Sequence, residues 1–541
     1  MCGRRVVRRR KCAEVQAFGE ASTMYAPTEL TGPILQDAVL RFLTNPDVHG
    51  VAEIRRFDTH ASVVLLAGKL AIKIKRAIRF PYLDYSTLEK RRAACNAELE
   101  INRKFAPQLY RRVVPITREP DGTFRYDGTG EPVEWAVEMV RFDENQTLDC
   151  VADRGEFDMA LAGKLGAGIG VLQERAPVAD AAAWLSAIER FVERNTLAFR
   201  EHPALFPADR VAELDTATRL LFMRLRPLLA NRGRAGLVRR GHGDLHLGNV
   251  VLLQGDPVAF DAIEFDPIVA SGDVLYELAF PLMDLVERGL VSAANGVLNA
   301  YFLATKRPED FDGIAALPLF MSLRAAIRAN VIAARLDQAG SDRRSLSESA
   351  QHYFQLALNL LMPSTASVVA IGGLSGTGKS VLACALAPHI GPPPGALVLR
   401  SDIERKTMFG VAETERLSAE AYKPNVSDAV YRRLLDKAGR AARAGHSVVV
   451  DAVFADPDER ADIEREAVEN GATFQGLYLV APLHIRALRV KNRSADASDA
   501  DAAVARRQEQ LSVGQMTWNT IDASGSPELT LSAARSLFLR E

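Results

Sequence analysis

Residues 241–250 read GHGDLHLGNV. Asp244 and Asn249 stand as D-x-x-x-x-N, with His242 two residues before the aspartate. An aspartate and an asparagine so spaced on one loop can supply a base for an attacking hydroxyl and a ligand for magnesium. Phosphoryl transfer needs little covalent help; it needs a positioned nucleophile and positive charge spread over the phosphates. Just downstream, VVLL, the turn QGDP and VAFDAIEF read as a β-hairpin with Asp261 in its second strand. A lone carboxylate among apolar neighbours is costly unless it is paired or bound to metal, which makes Asp261 a candidate metal ligand. His246 has as much reason to pack the loop as to do chemistry.

Working outward, residues 62–75 contain SVVLLAG and KLAIKIK, two strands joined by a tight turn. A helix is expected over STLEKRRAACNAELEINRKF at 86–105, capped by Ser86 or Thr87. RRVVPI and PVEWAVEMVRF read as further strands, and residues 155–235 and 272–361 as mostly helical. GSDRRSLSES at 340–349 reads as a loop.

HGDLHLGNV followed by FDAIEFDP resembles the aminoglycoside phosphotransferase and choline kinase superfamily, over roughly residues 40–355, and within it a bacterial branch fused to a second kinase domain. The resemblance implies a bilobal α+β protein-kinase-like fold. It also implies a strand lysine that grips the nucleotide α- and β-phosphates and a helix glutamate that orients it. Lys73 matches the lysine, with Lys75 on the same face as the alternative. Glu98 matches the glutamate, with Glu100 second, and Asp273 matches an aspartate that braces the catalytic loop. The chain departs from the kinase pattern before VVLLAG: DTHAS stands where a G-x-G-x-x-G loop would cover phosphates. That departure leaves open an N-terminal module that binds nucleotide and regulates the rest of the chain without catalysing transfer.

A second phosphate motif follows about 130 residues later. GLSGTGKS at 373–380 is G-x-x-x-x-G-K-S, between the strand SVVAIGG and the helix SVLACALAPHI. This is the context of a P-loop. Gly373, Leu374, Ser375, Gly376, Thr377 and Gly378 would face backbone N–H groups toward phosphates at a helix N-terminus. Lys379 would reach the β- and γ-phosphates, and Ser380 would ligate magnesium. Asp451 ends the strand of SVVVDAVF as a second magnesium ligand, and Ala452 follows it where an ATPase would carry a water-activating glutamate. In LRSDIERK, Asp402 and Arg405 fall at the carboxyl end of a strand, where such sheets bind ligands. Asp402 could align or deprotonate an acceptor hydroxyl. The run HIRALRVKNRSADASDAD carries Arg486, Arg489, Lys491 and Arg493 and resembles a lid whose arginines, Arg489 and Arg493 foremost, close over the transferring phosphate. Residues 365–541 resemble the group of small-molecule kinases that includes gluconate kinase, adenylylsulfate kinase and zeta toxins, often labelled AAA-family ATPases.

The whole chain fits this division. Its 541 residues exceed one core. The formal net charge of -1 gives no global field for nucleic acid or membrane, and no long uncharged apolar run suggests a membrane span. Five scattered cysteines without C-x-x-C suit a reducing cytoplasm. Residues 1–24 open with MCGRRVVRRRKC and read as a basic, disordered tail or an over-long start with initiation at Met24. Residues 25–362 would form the first kinase domain and 363–541 a three-layer α/β P-loop kinase domain with a parallel sheet, the polar stretch after Pro363 separating two independent cores. Each domain would use ATP and Mg2+ on a small hydroxyl-bearing acceptor. A P-loop ATPase or kinase regulated by the N-terminal module is the alternative.

Overall fold

The computed structural model describes residues 33–59, 61–80, 83–336, 342–492 and 497–538. After helix α1 (Pro33–Leu43) come β1 (Ile54–Asp58), β2 (Ser62–Ala67) and β3 (Leu70–Lys75), then α2 (Leu88–Asn102), β4 (Tyr110–Arg118), β5 (Phe124–Tyr126) and β6 (Glu131–Val140). The strands make one six-stranded sheet ordered β1-β2-β3-β6-β4-β5, every pair antiparallel. Alternation decides its faces: Val63, Leu65, Ile72 and Ile74 enter a core shared with α1. Thr87 caps α2 by accepting from the Lys90 amide, as the sequence predicts.

The second lobe is helical. Helices α3 (Met159–Arg175), α4 (Ala181–Arg200) and α5 (Ala208–Arg234) precede a hairpin of β7 (Val250–Leu253) and β8 (Asp256–Ala259). Helices α6 (Val274–Glu287), α7 (Val291–Thr305), α8 (Leu317–Ala333) and α9 (Arg343–Asn359) complete it. The expected loop at 340–349 is largely the first turns of α9, whose Ala350, Tyr353 and Phe354 are buried. Packing on α8 outweighs the polar composition there. The span Pro308–Ala333, which contains α8, is apolar and long enough to match a membrane span, but 67% of its most apolar window is buried in the lobe.

Beyond 363 the chain builds a parallel sheet from β9 (Ser367–Gly373), β10 (Leu397–Arg400), β11 (Val448–Asp451), β12 (Thr473–Val480) and β13 (Asn519–Asp522). Its order is β10-β11-β9-β12-β13. Helices α10 (Lys379–Leu386), α11 (Ser401–Met408), α12 (Pro424–Arg443) and α13 (Leu483–Lys491) lie among the crossovers. Both faces are covered, so the strands read as apolar runs. The fold is a three-layer α/β P-loop fold, joined to an N-terminal bilobal α+β unit. β13 escapes the sequence pattern because only Ile521 of NTID is buried at the sheet's edge.

The two units are not separate cores. One buried cluster runs from the helical lobe, through Leu298 and Tyr353, into Ala366, Val368, Leu397 and Val430 of the P-loop unit. The basic run at the N-terminus lies outside the described residues.

Candidate active sites

The loop at 242–249 sits between the lobes and is held from behind. His242 is fully buried; its Nε2 lies 2.8 Å from Phe260 O and its amide donates to Glu277. Burial pushes the His242 pKa down, against the pull of Glu277, so the ring is a neutral strut. Leu247 donates its amide to Asp284 at 3.0 Å, and Arg324 donates to Gly243 O at 3.1 Å. Glu277 and Asp284 lie on α6 and Arg324 on α8. His246 accepts from the Gly248 amide at 3.1 Å and packs on Phe280, and its Nε2 lies 3.6 Å from Asp244. Asp273 does not reach the loop: it caps α6 and forms a buried bidentate pair with Arg232 at 2.7 and 2.8 Å.

Asp244 is left half exposed at the front of the loop. Asn249 Nδ2 donates to its backbone oxygen at 3.0 Å and to its carboxylate at 3.2 Å. Asp261 lies beyond the hairpin strand rather than in it, since β8 ends at Ala259. Its φ of +63 is left-handed, a strained conformation for a residue with a side chain. The turn carries the carboxylate out of the strand's alternation and toward β3.

There it meets Lys73. The ammonium lies 2.5 Å from Asp261 Oδ1 and 2.8 Å from Glu98 Oε1. Lys75, two residues on, takes the other oxygen of Glu98 at 2.6 Å and Glu264 at 2.5 Å, and Tyr85 donates to Glu264. Both lysines therefore serve one fully buried glutamate, and Lys73 is the one that also reaches Asp261. Glu100 faces solvent beside Lys104. Burial would lower both lysine pKa values, but the carboxylates outweigh it and hold them raised. Burial likewise opposes ionisation of Glu98, and the two ammonium groups overcome it. Lys73, Lys75 and Glu98 are therefore charged. Lys75, the alternative to Lys73 in the sequence, forms a second half of the network with Glu264 and Tyr85; the sequence pattern singles out neither of these two, and the spacing D-x-x-E from Asp261 to Glu264 is their only trace.

In the second unit the P-loop leaves β9 and enters α10 at Lys379. Gly376 has φ of +88, and a Cβ there would stand 2.5 Å from Arg486 O, so the position requires glycine. Thr377 ties the loop back to Leu374 O at 2.8 Å, and Lys379 Nζ lies 3.4 Å from the same oxygen. Ser380 Oγ donates to Asp451 Oδ2 at 2.5 Å, bringing together the two predicted magnesium ligands. Arg400, at the end of β10, joins them: it lies 3.0 Å from Ser380 Oγ and 3.4 Å from Asp451. Arg400 lies in the same LRSDIERK stretch as Asp402, two residues before it.

Asp402 opens α11. Burial raises its pKa and the nearby Asp451 carboxylate adds to the effect, while Ser498 and Lys379 oppose it. That raises its affinity for a proton. Arg405 is buried, donating to Ala421 O at 2.6 Å and packing over Tyr422, so it stabilises the fold rather than facing an acceptor. The expected lid is also corrected. Arg489 donates to Ala523 O and Gly525 O, both at 2.7 Å, which fixes it to the segment after β13. Arg486 is the arginine at the P-loop, buried and 3.3 Å from Ser375 O. Gln508 accepts from the Ser375 amide at 2.7 Å. Arg493 lies outside the described residues.

Among the described residues no cluster of three or more His, Cys, Asp or Glu could hold a metal ion alone. Each site instead offers one or two carboxylates with an amide or hydroxyl. That suits magnesium, which keeps waters and takes its remaining oxygens from phosphates.

A model of an AAA domain family matches residues 368–513. An uncharacterized protein of Mycobacterium tuberculosis, Rv2004c, is 29% identical over 498 residues, covering 88% of this chain and 94% of its own length. Among solved structures, the choline kinase of Cryptosporidium parvum Iowa II covers 59% of this chain and 95% of its own at 10% identity, TM-score 0.37. A gluconokinase from Sinorhizobium meliloti 1021 covers 33% of this chain and 99% of its own at 16% identity, TM-score 0.23.

Proposed function

We propose that the chain is a phosphotransferase with two sites, each passing the γ-phosphoryl group of ATP to a small hydroxyl-bearing acceptor. The observation that carries the reading is the meeting of Lys73 with both Glu98 and Asp261, in front of a loop bearing Asp244 and Asn249. Lysine from a strand, glutamate from a helix and aspartate from a strained turn converge from separate parts of the chain. A module that only sensed nucleotide would need no half-exposed Asp244 beside them.

In the first site Lys73 would hold the nucleotide phosphates, with Glu98 fixing the lysine. Asn249 and Asp261 would hold magnesium, which supplies positive charge to the phosphates when bound. Asp244 would accept the acceptor's proton. In the second site the backbone of residues 373–378 and Lys379 would hold the nucleotide, Ser380 and Asp451 the metal, and Asp402 the acceptor hydroxyl. Ala452 supplies no base for water, which favours transfer over hydrolysis.

The test is incubation with γ-labelled ATP and a metabolite extract, seeking products heavier by one phosphate. Asp244→Asn and Lys379→Ala should each remove a different product. Label released only as inorganic phosphate, with every extract tried, would refute transfer and leave a regulated ATPase.

A further inference from the structure

The second site stands on a strand whose outer edge is finished by the first unit. β10 is the edge strand of the parallel sheet, paired on one side by β11. An edge strand leaves N–H and C=O groups unpaired along its free side. Here two asparagines from α7 take the Val398 N–H and the carbonyls that lead into the strand. Asn295 Nδ2 donates to Pro394 O at 3.0 Å and Ala396 O at 2.9 Å. Asn299 Nδ2 donates to Ala396 O at 3.2 Å, and its Oδ1 accepts from the Val398 amide at 2.7 Å. The two asparagines also bond to each other, Asn299 Nδ2 lying 3.0 Å from Asn295 O and 3.1 Å from its Oδ1. Asn295 is buried, so these bonds are made away from water.

What β10 carries makes this placement consequential. Two residues past Val398 the strand delivers Arg400 onto Ser380 and Asp451, and the chain turns directly into α11 with Asp402 in its first turn. The strand is four residues long, so it has little ladder of its own to resist a sideways shift. The P-loop grips nucleotide from β9 and α10, which the asparagines do not touch.

We infer that α7 is a working part of the second site: Asn299, supported by Asn295, is a positioning residue that sets β10 and through it Arg400 and Asp402. The inference rests on the phosphotransfer reading of residues 373–451. It makes the first unit necessary for transfer at the second site, independently of whether the first site is turning over.

The experiment uses the full chain carrying Asp244→Asn, with γ-labelled ATP and the metabolite extract. It follows the phosphorylated product that Lys379→Ala removes, so that the turnover measured is transfer at the P-loop site; Lys379→Ala is its control. Asn299→Ala should lower kcat about tenfold or more, because displacements of about 1 Å at reacting groups are costly. KM for ATP should stay within about twofold, since the phosphate grip is untouched. Amide hydrogen exchange should quicken at Val398. Asn295→Ala, which spares the Val398 bond, should give a smaller fall of the same kind and covers the case in which Asn299→Ala does not fold. Asp312→Asn breaks another contact between the units, the Asp312–Arg440 pair, without touching β10; it should leave kcat per folded molecule unchanged. An unchanged kcat in both asparagine variants, with Lys379→Ala inactive, overturns the inference and leaves the site reading intact. An equal fall in Asp312→Asn also overturns it, because any loosening of the interface would then suffice. A set of products unchanged in Lys379→Ala removes the site reading itself, and this inference with it.

Discussion

Asp244 and Asp261 are both carboxylates in the first cleft, yet their surroundings assign them different work. Asp261 is committed to Lys73. Asp244 has only the Asn249 amide and the His246 ring, 3.6 Å away, and its half-exposed carboxylate is open to an incoming hydroxyl. Asp244→Asn should therefore cut transfer at this site by about 10²–10⁴-fold, the usual worth of general-base help, with ATP affinity nearly unchanged. Asp261→Ala should weaken Mg-nucleotide binding as well. Both are read by nucleotide titration beside single-turnover transfer, and full activity in Asp244→Asn would end its role as base. The second site allows the parallel contrast. Lys379→Ala should abolish all activity there, whereas Asp402→Asn should spare nucleotide affinity and acceptor-free hydrolysis while transfer falls by about 10²-fold or more. Equal transfer by Asp402→Asn and the unmodified chain would exclude Asp402. The residues legible in the sequence are those whose spacing along one loop is itself the signal. Lys75 is legible as the alternative to Lys73, whereas Glu264, Arg400 and Gln508 are not singled out, because their roles appear only once separate segments are brought together by the fold.

The same limit holds for elements. Strands and helices that bury an apolar stripe announce themselves, and β2, β3, α2 and β9 stand where the pattern predicts them. The pattern misplaces Asp261 because VAFDAIEF alternates like a strand past the point where a left-handed turn ends it. Arg489 looks like a lid residue because a charged run carries no information on whether its partners are phosphates or carbonyls. The turn from α12 into β11 gives a pH test of element packing. His446 is buried there beside the Gly395 backbone, just before β10 begins. Burial pushes its pKa down to about 4, the hydrogen bond to Gly395 offsetting part of the shift. A histidine whose folded pKa is depressed resists protonation in the fold but not in the unfolded chain. Its contribution is complete above the unfolded value of about 6.5 and is lost as pH falls toward 4, at up to about 1.4 kcal/mol per pH unit. His242 is shifted in the same direction. Melting temperature should fall between pH 7 and pH 4.5, and His446→Gln should flatten part of that slope. An identical slope in the variant would mean that His446 is not held neutral.

At the scale of the molecule, the change from helical lobe to alternating strands and helices near residue 363 suggests two cores that fold alone. The structure argues against independence. Leu397 and Leu399 of β10 belong to the same buried cluster as Leu298 of α7 and Phe311. Cutting at the junction would expose these side chains and unpair the Asn295 and Asn299 bonds, each worth about 1 kcal/mol. It would also break the Asp312–Arg440 pair, which is partly exposed and contributes little. The apolar loss dominates, and it falls on an edge strand, the element most prone to pair with another chain when uncovered. A chain beginning at 363 should therefore be soluble poorly or melt well below the intact protein, and residues 25–362 supplied in trans should raise its melting temperature. The intact protein should unfold in one calorimetric transition because the cluster that would divide is continuous. Two well-separated transitions, or a 363–541 chain as stable as the whole, would show that the shared cluster contributes little and that the break in sequence pattern marks a true boundary between cores.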